Sequence, residues 1–326
     1  MLADTTERFE QAADVDLAAA DVTRNEREDG DGDHAAIVVP YRSRVARSLV
    51  RRVVSTLPDP VRERIAPAWR RARGRLGRGY DALGEIAVTR SLLEQLGVRG
   101  GTAVDVAACD GVTKSNTLAL YENGWRGLAV EGDPRRFAQL ARVYSRLPQV
   151  GLARLWVTPA NIVGLLESAG VGEDFEFLSL DLDSYDHYVL AAILERFQPQ
   201  LVCAEINEKI PPPLRFTVTF DPDHVWQGDH FYGQSISKLH ELAVRHDYVL
   251  VRLHYNNAFL APAASGLPAS TPEEAYRAGY LDRPDRLRAF PWNADMEALH
   301  SLPLDEQLAF VRRRFAAYEG RFELEA

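Results

Sequence analysis

The feature that most narrows the fold is a regular exchange, between residues 102 and 261, of short apolar runs with stretches of helical spacing. Apolar runs fall at 102–107, 127–131, 152–157, 175–180 and 201–206. Between them, 115–123, 134–147, 161–169 and 187–197 carry apolar residues at the spacing of a helix face. A helix expected over 234–246 leads to closing strands at 248–254 and 258–261, joined by Tyr255-Asn256-Asn257. Strands alternating with helices in this way imply a doubly wound, mostly parallel α/β sheet with helices on both faces. Local punctuation agrees. Gly97 and Gly100-Gly101 end a helix that starts past Ala82, Gly124 suits the residue after a helix, and Asp133-Pro134 is an N-cap followed by a first-turn proline. The stretch 207–232, with Pro211-Pro212-Pro213 and several aromatics, reads as a long loop.

The flanks differ in kind. Residues 1–40 form an acidic segment with too little apolar surface to offset the entropy of ordering, and are expected to be disordered. Residues 41–81 read as basic helices, 82–262 as the α/β domain, and 263–326 as a helical extension with helices near 272–278 and 304–318. The net charge of -9 argues against a nucleic-acid partner. The arginines of 42–78 suit either a solvated helix lying on the domain or peripheral contact with an anionic membrane. No apolar run approaches the roughly 18 residues a membrane helix needs, and the acidic N-terminus lacks the apolar core of a secretory signal. Cys109 and Cys203 read as free thiols in a reducing compartment, so the cytoplasm is the expected location.

In open α/β sheets, ligands bind at the carboxyl ends of strands near the switch in strand order. The first strand runs out through Val104-Asp105-Val106-Ala107-Ala108-Cys109-Asp110-Gly111. Its small residues let backbone approach a ligand. A helix start near Ser115-Asn116-Thr117 is expected to offer free N–H groups to it. Glu131 ends the second strand twenty positions after Gly111, where an acid suits the two hydroxyls of a ribose. The loop lacks G-x-G-x-x-G, which disfavours a dinucleotide and favours a nucleoside without a diphosphate, such as S-adenosylmethionine.

These motifs, with Gly124-Trp125-Arg126-Gly127-Leu128-Ala129-Val130-Glu131-Gly132-Asp133-Pro134, resemble class I S-adenosylmethionine-dependent methyltransferases. The nearest resemblance is to the FkbM-like bacterial O-methyltransferases. It continues through Leu178-Ser179-Leu180-Asp181-Leu182-Asp183-Ser184-Tyr185-Asp186, Ala204-Glu205-Ile206-Asn207, Phe231-Tyr232-Gly233-Gln234-Ser235 and Asn256-Asn257-Ala258-Phe259, and covers roughly residues 82–262. The resemblance implies a Rossmann-like, seven-stranded sheet whose last strand is antiparallel. It implies that Asp105 and the loop from Ala107 to Gly111 cradle the methionine part, with Ser115, Asn116 and Asp181 beside it, and that Glu131 holds the ribose. The departure is Ala107, where the family usually has glycine. An alanine there is expected to serve with a negative φ.

Asp181, Asp183 and Asp186 follow the fourth strand, and Glu205 and Asn207 the fifth. Adjacent strand ends lie about 5 Å apart, so these groups can converge. Two designs for methyl transfer to a hydroxyl fit. In one, Asp181, Glu205 and Asn207 hold Mg²⁺, a layout similar to metal-dependent catechol and sugar O-methyltransferases, although Ile206 separates the last pair. In the other, Asp183, Asp186 or His187 is a general base. Simpler roles exist: Asp183 or Ser184 as a helix cap, Asp186 as dipole compensation, His187 as a surface residue. The 208–232 loop reads as a lid in which Trp226, His230 and Tyr232 contact the acceptor. The resulting expectation is O-methylation of a sugar, glycan or glycosylated secondary metabolite. The rivals are a nicotinamide-dependent oxidoreductase and a non-catalytic binding module. A homo-oligomer is compatible with all three.

Overall fold

The computed structural model describes residues 37–39 and 83–326. The basic helices expected over 41–81, and most of the acidic segment before them, lie outside the described residues. Strand β1 (Ile37–Val39), within the stretch expected to lack structure, runs antiparallel along the outer edge of the sheet. The parallel strands are β2 (Thr102–Val106), β3 (Arg126–Glu131), β4 (Val150–Arg154), β5 (Phe177–Leu180) and β6 (Leu201–Glu205). They lie in the order β4-β3-β2-β5-β6, so strand order switches between β2 and β5. Beyond β6 come β9 (Asn257–Pro262) and then β8 (Tyr248–His254). Because β9 is antiparallel to both neighbours, six strands share one direction and the last runs against them. This is the expected Rossmann-like seven-stranded sheet, with β1 added at its rim.

The central strands β2, β5 and β6 are buried on both faces, which is why their sequences read as near-continuous apolar runs. Alternation along each strand feeds two cores. Val104, Leu128, Leu178, Val202 and Leu260 pack with Ile162 and Leu165 of α4 (Pro159–Ser168), Val189 and Ile193 of α5 (Asp186–Leu194), and Leu239 of α6 (Ile236–Arg245). Ala103, Ala129, Phe177, Cys203 and Phe259 pack on the other face. There they meet Leu92 of α1 (Glu85–Gln95), Leu118 and Tyr121 of α2 (Leu118–Glu122), and Leu140 of α3 (Pro134–Tyr144). Each large side chain so buried contributes about 1.5–3 kcal/mol, which orients the sheet's strand tips as one rigid edge. By the same alternation Asp105, Glu131 and Glu205 face the α1–α3 side.

The predicted punctuation holds where it can be checked. Asp133 Oδ1 accepts the N–H groups of Arg135 and Arg136, both at 2.8 Å, with Pro134 first in the helix. The strand expected over 152–157 is shifted to Val150–Arg154. Leu155 still donates to Glu131 O at 3.2 Å, but Trp156 turns out to solvent.

The loop expected over 207–232 contains a strand, β7 (Arg215–Val218). It pairs antiparallel with β10 (Phe322–Glu325) near the other end of the described chain, a long-range contact that alternation alone does not reveal. The 263–326 segment also contributes α7 (Pro272–Tyr276), a π-turn over 277–281, α8 (Arg286–Ala289), a 3-10 stretch over 291–301, and α9 (Leu304–Arg314). Phe216, Phe231, Met296, Leu299, Val311 and Phe315 form a third core, and Phe231 stacks on Tyr318 with ring centres 3.9 Å apart. Among the described residues, no helix is long and apolar enough to cross a membrane.

Candidate active site

Beyond β2 the chain winds tightly. Ala107, Cys109 and Gly111 have φ of 66°, 51° and 74°. The expectation of a negative φ at Ala107 is therefore wrong: the turn needs a left-handed residue there, and alanine takes it at a cost of roughly 1–2 kcal/mol. The turn is pinned to β3. Ala108 donates to Val130 O at 2.8 Å, and Cys109 N–H donates to Glu131 Oε2 at 2.8 Å. Asp133 N–H donates to Glu131 Oε1 at 2.7 Å. Each oxygen of Glu131 thus takes one backbone donor and keeps a lone pair for another. Burial pushes the Glu131 carboxyl up, against the pull of those two N–H groups. Gly111 is required by packing as well as φ: a Cβ would lie 2.5 Å from Leu140 Cδ1 and 2.7 Å from Tyr144 Cε1.

Asp105 lies inside this turn. Its Oδ2 accepts from Thr117 Oγ1 at 2.5 Å, and burial lifts its pKa to about 6 despite that bond and one from Ser179. The helix expected from Ser115 begins only at Leu118, because Ser115 Oγ accepts the N–H groups of Thr117 at 3.3 Å and Leu118 at 3.0 Å. Those donors are satisfied within the chain, so they are not a free anion site. Asn116 donates weakly to Ser179 Oγ at 3.4 Å and Cys203 Sγ at 3.6 Å, while its Oδ1 is buried without a donor. The Tyr144 hydroxyl is also buried, beside Thr117 and Ser115. An orphaned polar atom costs about 1–3 kcal/mol, so Asn116 Oδ1 is a position where an added partner would be favourable. On the other side of Glu131, Trp156 is 60% exposed and so close to Gly132 that a Cβ there would lie 2.5 Å from the indole.

At the tips of β5 and β6, carboxylate oxygens of Asp181, Asp183 and Glu205 all lie within 4.8 Å of one another. Glu205 Oε1 accepts from Asn256 Nδ2 at 2.6 Å, and its Oε2 is buried without a hydrogen-bond partner among the described residues. Carboxylates this close together, and buried, resist being ionised at the same time. Accordingly burial, then the charge of Asp183, push Asp181 up to about 8. Burial, then Asp181 and Asp183, push Glu205 well above its usual range. Asp183 is also raised by burial, but Lys114, Arg136 and Lys209 pull it back toward ionisation.

The three base candidates separate. Asp183 does not cap α5: the residue before that helix is Tyr185, without a side-chain cap. Asp183 sits at φ 56°, and no hydrogen bond to its carboxylate is found among the described residues. Asp186 is spent on the turn, accepting from Leu182 N at 2.7 Å and Ser184 N at 3.0 Å. His187 is buried rather than on the surface, with Nδ1 bonded to Gln234 Oε1 at 2.9 Å. The charged groups that act on it are Lys238, Arg245 and Glu323, not the strand-tip acids. Asn207 points its amide nitrogen at the lid, donating to His230 O at 2.8 Å and Tyr232 O at 3.0 Å, with Oδ1 buried and unpartnered.

In the lid, Trp226 and Tyr232 meet edge to face at 5.8 Å, and Trp226 stays 39% exposed. His230 Nε2 pairs with Asp295 at 2.9 Å. Phe216 and Phe231 are buried in the third core. Beside Tyr232 lies a buried group the sequence does not single out, Glu208, Lys209 and Asn293. Lys209 stands four positions past Glu205, which was a usable signal; nothing local marks Asn293.

Neither family models nor curated proteins match this chain. Among solved structures, it is similar to magnesium protoporphyrin IX methyltransferase from Synechocystis PCC 6803 with bound S-adenosylmethionine, at 9% identity over 56% of this chain and 80% of that one, TM-score 0.36. It is similar to an S-adenosylmethionine-dependent methyltransferase from Clostridium acetobutylicum ATCC 824, at 10% identity over 56% and 92%, TM-score 0.37. A TehB-like S-adenosylmethionine-dependent methyltransferase from Corynebacterium glutamicum ATCC 13032 Kitasato shares 17% identity over 61% and 94%, TM-score 0.32.

Proposed function

We propose that the protein is an S-adenosylmethionine-dependent methyltransferase that methylates a hydroxyl of a sugar, glycan or glycosylated secondary metabolite. The observation that carries this reading is the joint placement of Glu131 and the carboxylate cluster on one edge. In strand order Glu131 of β3 stands two spacings from β5, which leads to Asp181 and Asp183, and three from β6, which carries Glu205, about 10–14 Å, the scale of a nucleoside with a short side chain. The lone pairs left on Glu131 accept from a ribose diol. Trp156 and Gly132 offer a flat wall to a base. Asn116 Oδ1 and Asp105 accept from an α-ammonium group.

The sulfonium compound supplies an electrophilic methyl group. The protein's own work is to present the acceptor oxygen in line with that carbon and to take its proton. Asp183 is the group for the proton: it is unspent, partly exposed, and drawn toward ionisation by three cations. As the acceptor oxygen bonds to the methyl carbon, the carbon–sulfur bond breaks and the hydroxyl proton passes to Asp183. Asp181 and Glu205, which resist being ionised together, receive hydrogen bonds from neighbouring hydroxyls. The same oxygens suit a hard divalent cation. Held there by Asp181, Asp183 and Glu205, it would supply positive charge that lowers the hydroxyl pKa.

Incubation with methyl-labelled S-adenosylmethionine and a panel of sugars, with and without chelator, tests the reaction. Label on oxygen supports it, and label only on nitrogen or carbon overturns the O-methyl assignment. A thermal-shift panel tests the cofactor. S-Adenosylhomocysteine at a hundred times its dissociation constant adds about 2.7 kcal/mol, whereas NAD adds none. A response to NAD alone would replace this reading with an oxidoreductase.

A further inference from the structure

The loop over 219–232 is fastened from beneath. Thr219 N–H donates to Arg321 O at 2.9 Å, next to the pairing of β7 with β10. The Arg321 guanidinium donates to Asp221 Oδ2 at 2.7 Å and to His224 Nδ1 at 3.2 Å. His224 is buried and meets Phe231 edge to face, and Phe231 lies flat on Tyr318. A loop tied down in this way cannot easily collapse to hide its remaining apolar side chains.

Three of them face solvent. Phe220 is 40% exposed, Val225 63% and Trp226 39%. A turn brings the first two together. Asp223 N–H donates to Asp221 Oδ1 and His224 N–H to Asp221 O, both at 3.0 Å, so Phe220 and Val225 stand at its two ends. Trp226 follows directly and is held in place, its Nε1 donating to Asp229 O at 2.8 Å and its ring meeting Tyr232 edge to face. Single exposed apolar residues are ordinary, but three on one short, tied loop mark a binding surface.

This surface is anchored at the tips of both acid-bearing strands. Phe220 packs edge-on against Tyr185, ring centres 4.9 Å apart, and Tyr185 is two positions past Asp183. Trp226 packs on Tyr232, whose carbonyl accepts from Asn207 Nδ2 at 3.0 Å, and Asn207 is two positions past Glu205. The surroundings narrow the occupant. Residues 219–230 hold three aspartates and neither lysine nor arginine, which disfavours an anionic membrane. Three side chains also cover far less than the roughly 800 Å² each partner buries in a stable protein complex. One small molecule with an uncharged apolar body fits both limits.

On the footing of the methyltransferase reading, we propose that Phe220, Val225 and Trp226 seat the apolar body of the acceptor. The acceptor is therefore amphiphilic: its hydroxyl end reaches the carboxylate cluster while an alkyl or ring-carbon body lies on the loop, so a glycoside with a large apolar aglycone is preferred over a free sugar.

Two probes isolate the apolar body. n-Octyl β-D-glucopyranoside, kept below its critical micelle concentration, and methyl β-D-glucopyranoside share one sugar. Calorimetry on the full chain saturated with S-adenosylhomocysteine compares wild type, the triple variant Phe220→Ser with Val225→Ser and Trp226→Ala, and Trp292→Ala, which removes an exposed indole from the 3-10 stretch over 291–301. Wild type is expected to bind the octyl glucoside at least tenfold more tightly than the methyl glucoside. That ratio is expected to fall at least fivefold in the triple variant and to stay within twofold in Trp292→Ala, with affinity for S-adenosylhomocysteine within twofold throughout. Trp226→Ala alone, expected to lower the ratio at least twofold, serves if the triple variant fails to fold. No measurable binding of the octyl glucoside, an unchanged ratio in the loop variants, or an equal loss in Trp292→Ala overturns the inference while leaving the methyltransferase reading intact. Capture of wild type but not of the triple variant by phosphatidylglycerol vesicles does the same, because the loop would then be a membrane contact. Failure of wild type to bind S-adenosylhomocysteine removes both.

Discussion

Glu131 Oε2 accepts the backbone N–H of Cys109 at 2.8 Å, so the acid at the tip of β3 holds the turn beyond β2 as well as facing the pocket. Replacing it with alanine removes two backbone anchors and, on the proposed reading, the ribose acceptors together. At about 1.5–3 kcal/mol for each charge-assisted bond, Glu131→Ala should weaken S-adenosylhomocysteine binding by at least tenfold in calorimetry. Retention of wild-type affinity would place the nucleoside elsewhere.

Asp105 gives a pH signature. Its pKa is raised from 3.8 to about 6, with burial the largest cause. The folded protein therefore holds this proton more tightly than the unfolded chain does. Its unfavourable contribution is absent below pH 3.8, grows as pH rises between the two values, and is complete above pH 6, at about 3 kcal/mol. Asp105→Asn should accordingly be more stable than wild type in urea at about pH 7.5, with the gap closing near pH 4. In wild type, affinity for S-adenosylhomocysteine should fall on acidification through about pH 6, and the variant should lose that dependence.

Gly111→Ala combines a left-handed φ with two contacts under 3 Å to α3. Strain and overpacking together predict a loss of about 2–4 kcal/mol by urea unfolding, with weaker cofactor binding because the turn shifts. Ala107→Gly is the converse: relief of the left-handed strain is offset by the freer unfolded chain, so stability should change by no more than about 1 kcal/mol.

Glu205→Gln removes the acid beside Asp181. The amide oxygen introduced by this substitution can still accept from Asn256, so folded stability should be maintained or improved, while turnover falls at least tenfold. A variant with undiminished turnover would show that the paired acid plays no part.

Much of the fold was legible because the sheet is built from local signals. The apolar runs, the cap at Asp133 and the glycines marked the order of elements. The edge acids Glu131, Asp181 and Glu205 were legible because buried strand tips rarely end in carboxylates without cause. Other features were illegible for physical reasons. The pairing of β7 with β10 joins residues about a hundred positions apart, and neither strand is strongly patterned. The positive φ of Ala107 depends on where Cys109 must go to reach Glu131. The burial of His187 follows from α6 and Gln234 closing over α5, which its own helix does not announce.

The bond from Asn256 to Glu205 spans 51 positions. During synthesis, the strand carrying the acid emerges well before the hairpin that steadies it. A nascent chain halted between the two would hold a sheet edge with an unquenched carboxylate at its margin, and no β9 to cover β6. Completion of this strand-tip cluster is thereby deferred until β9 pairs with β6.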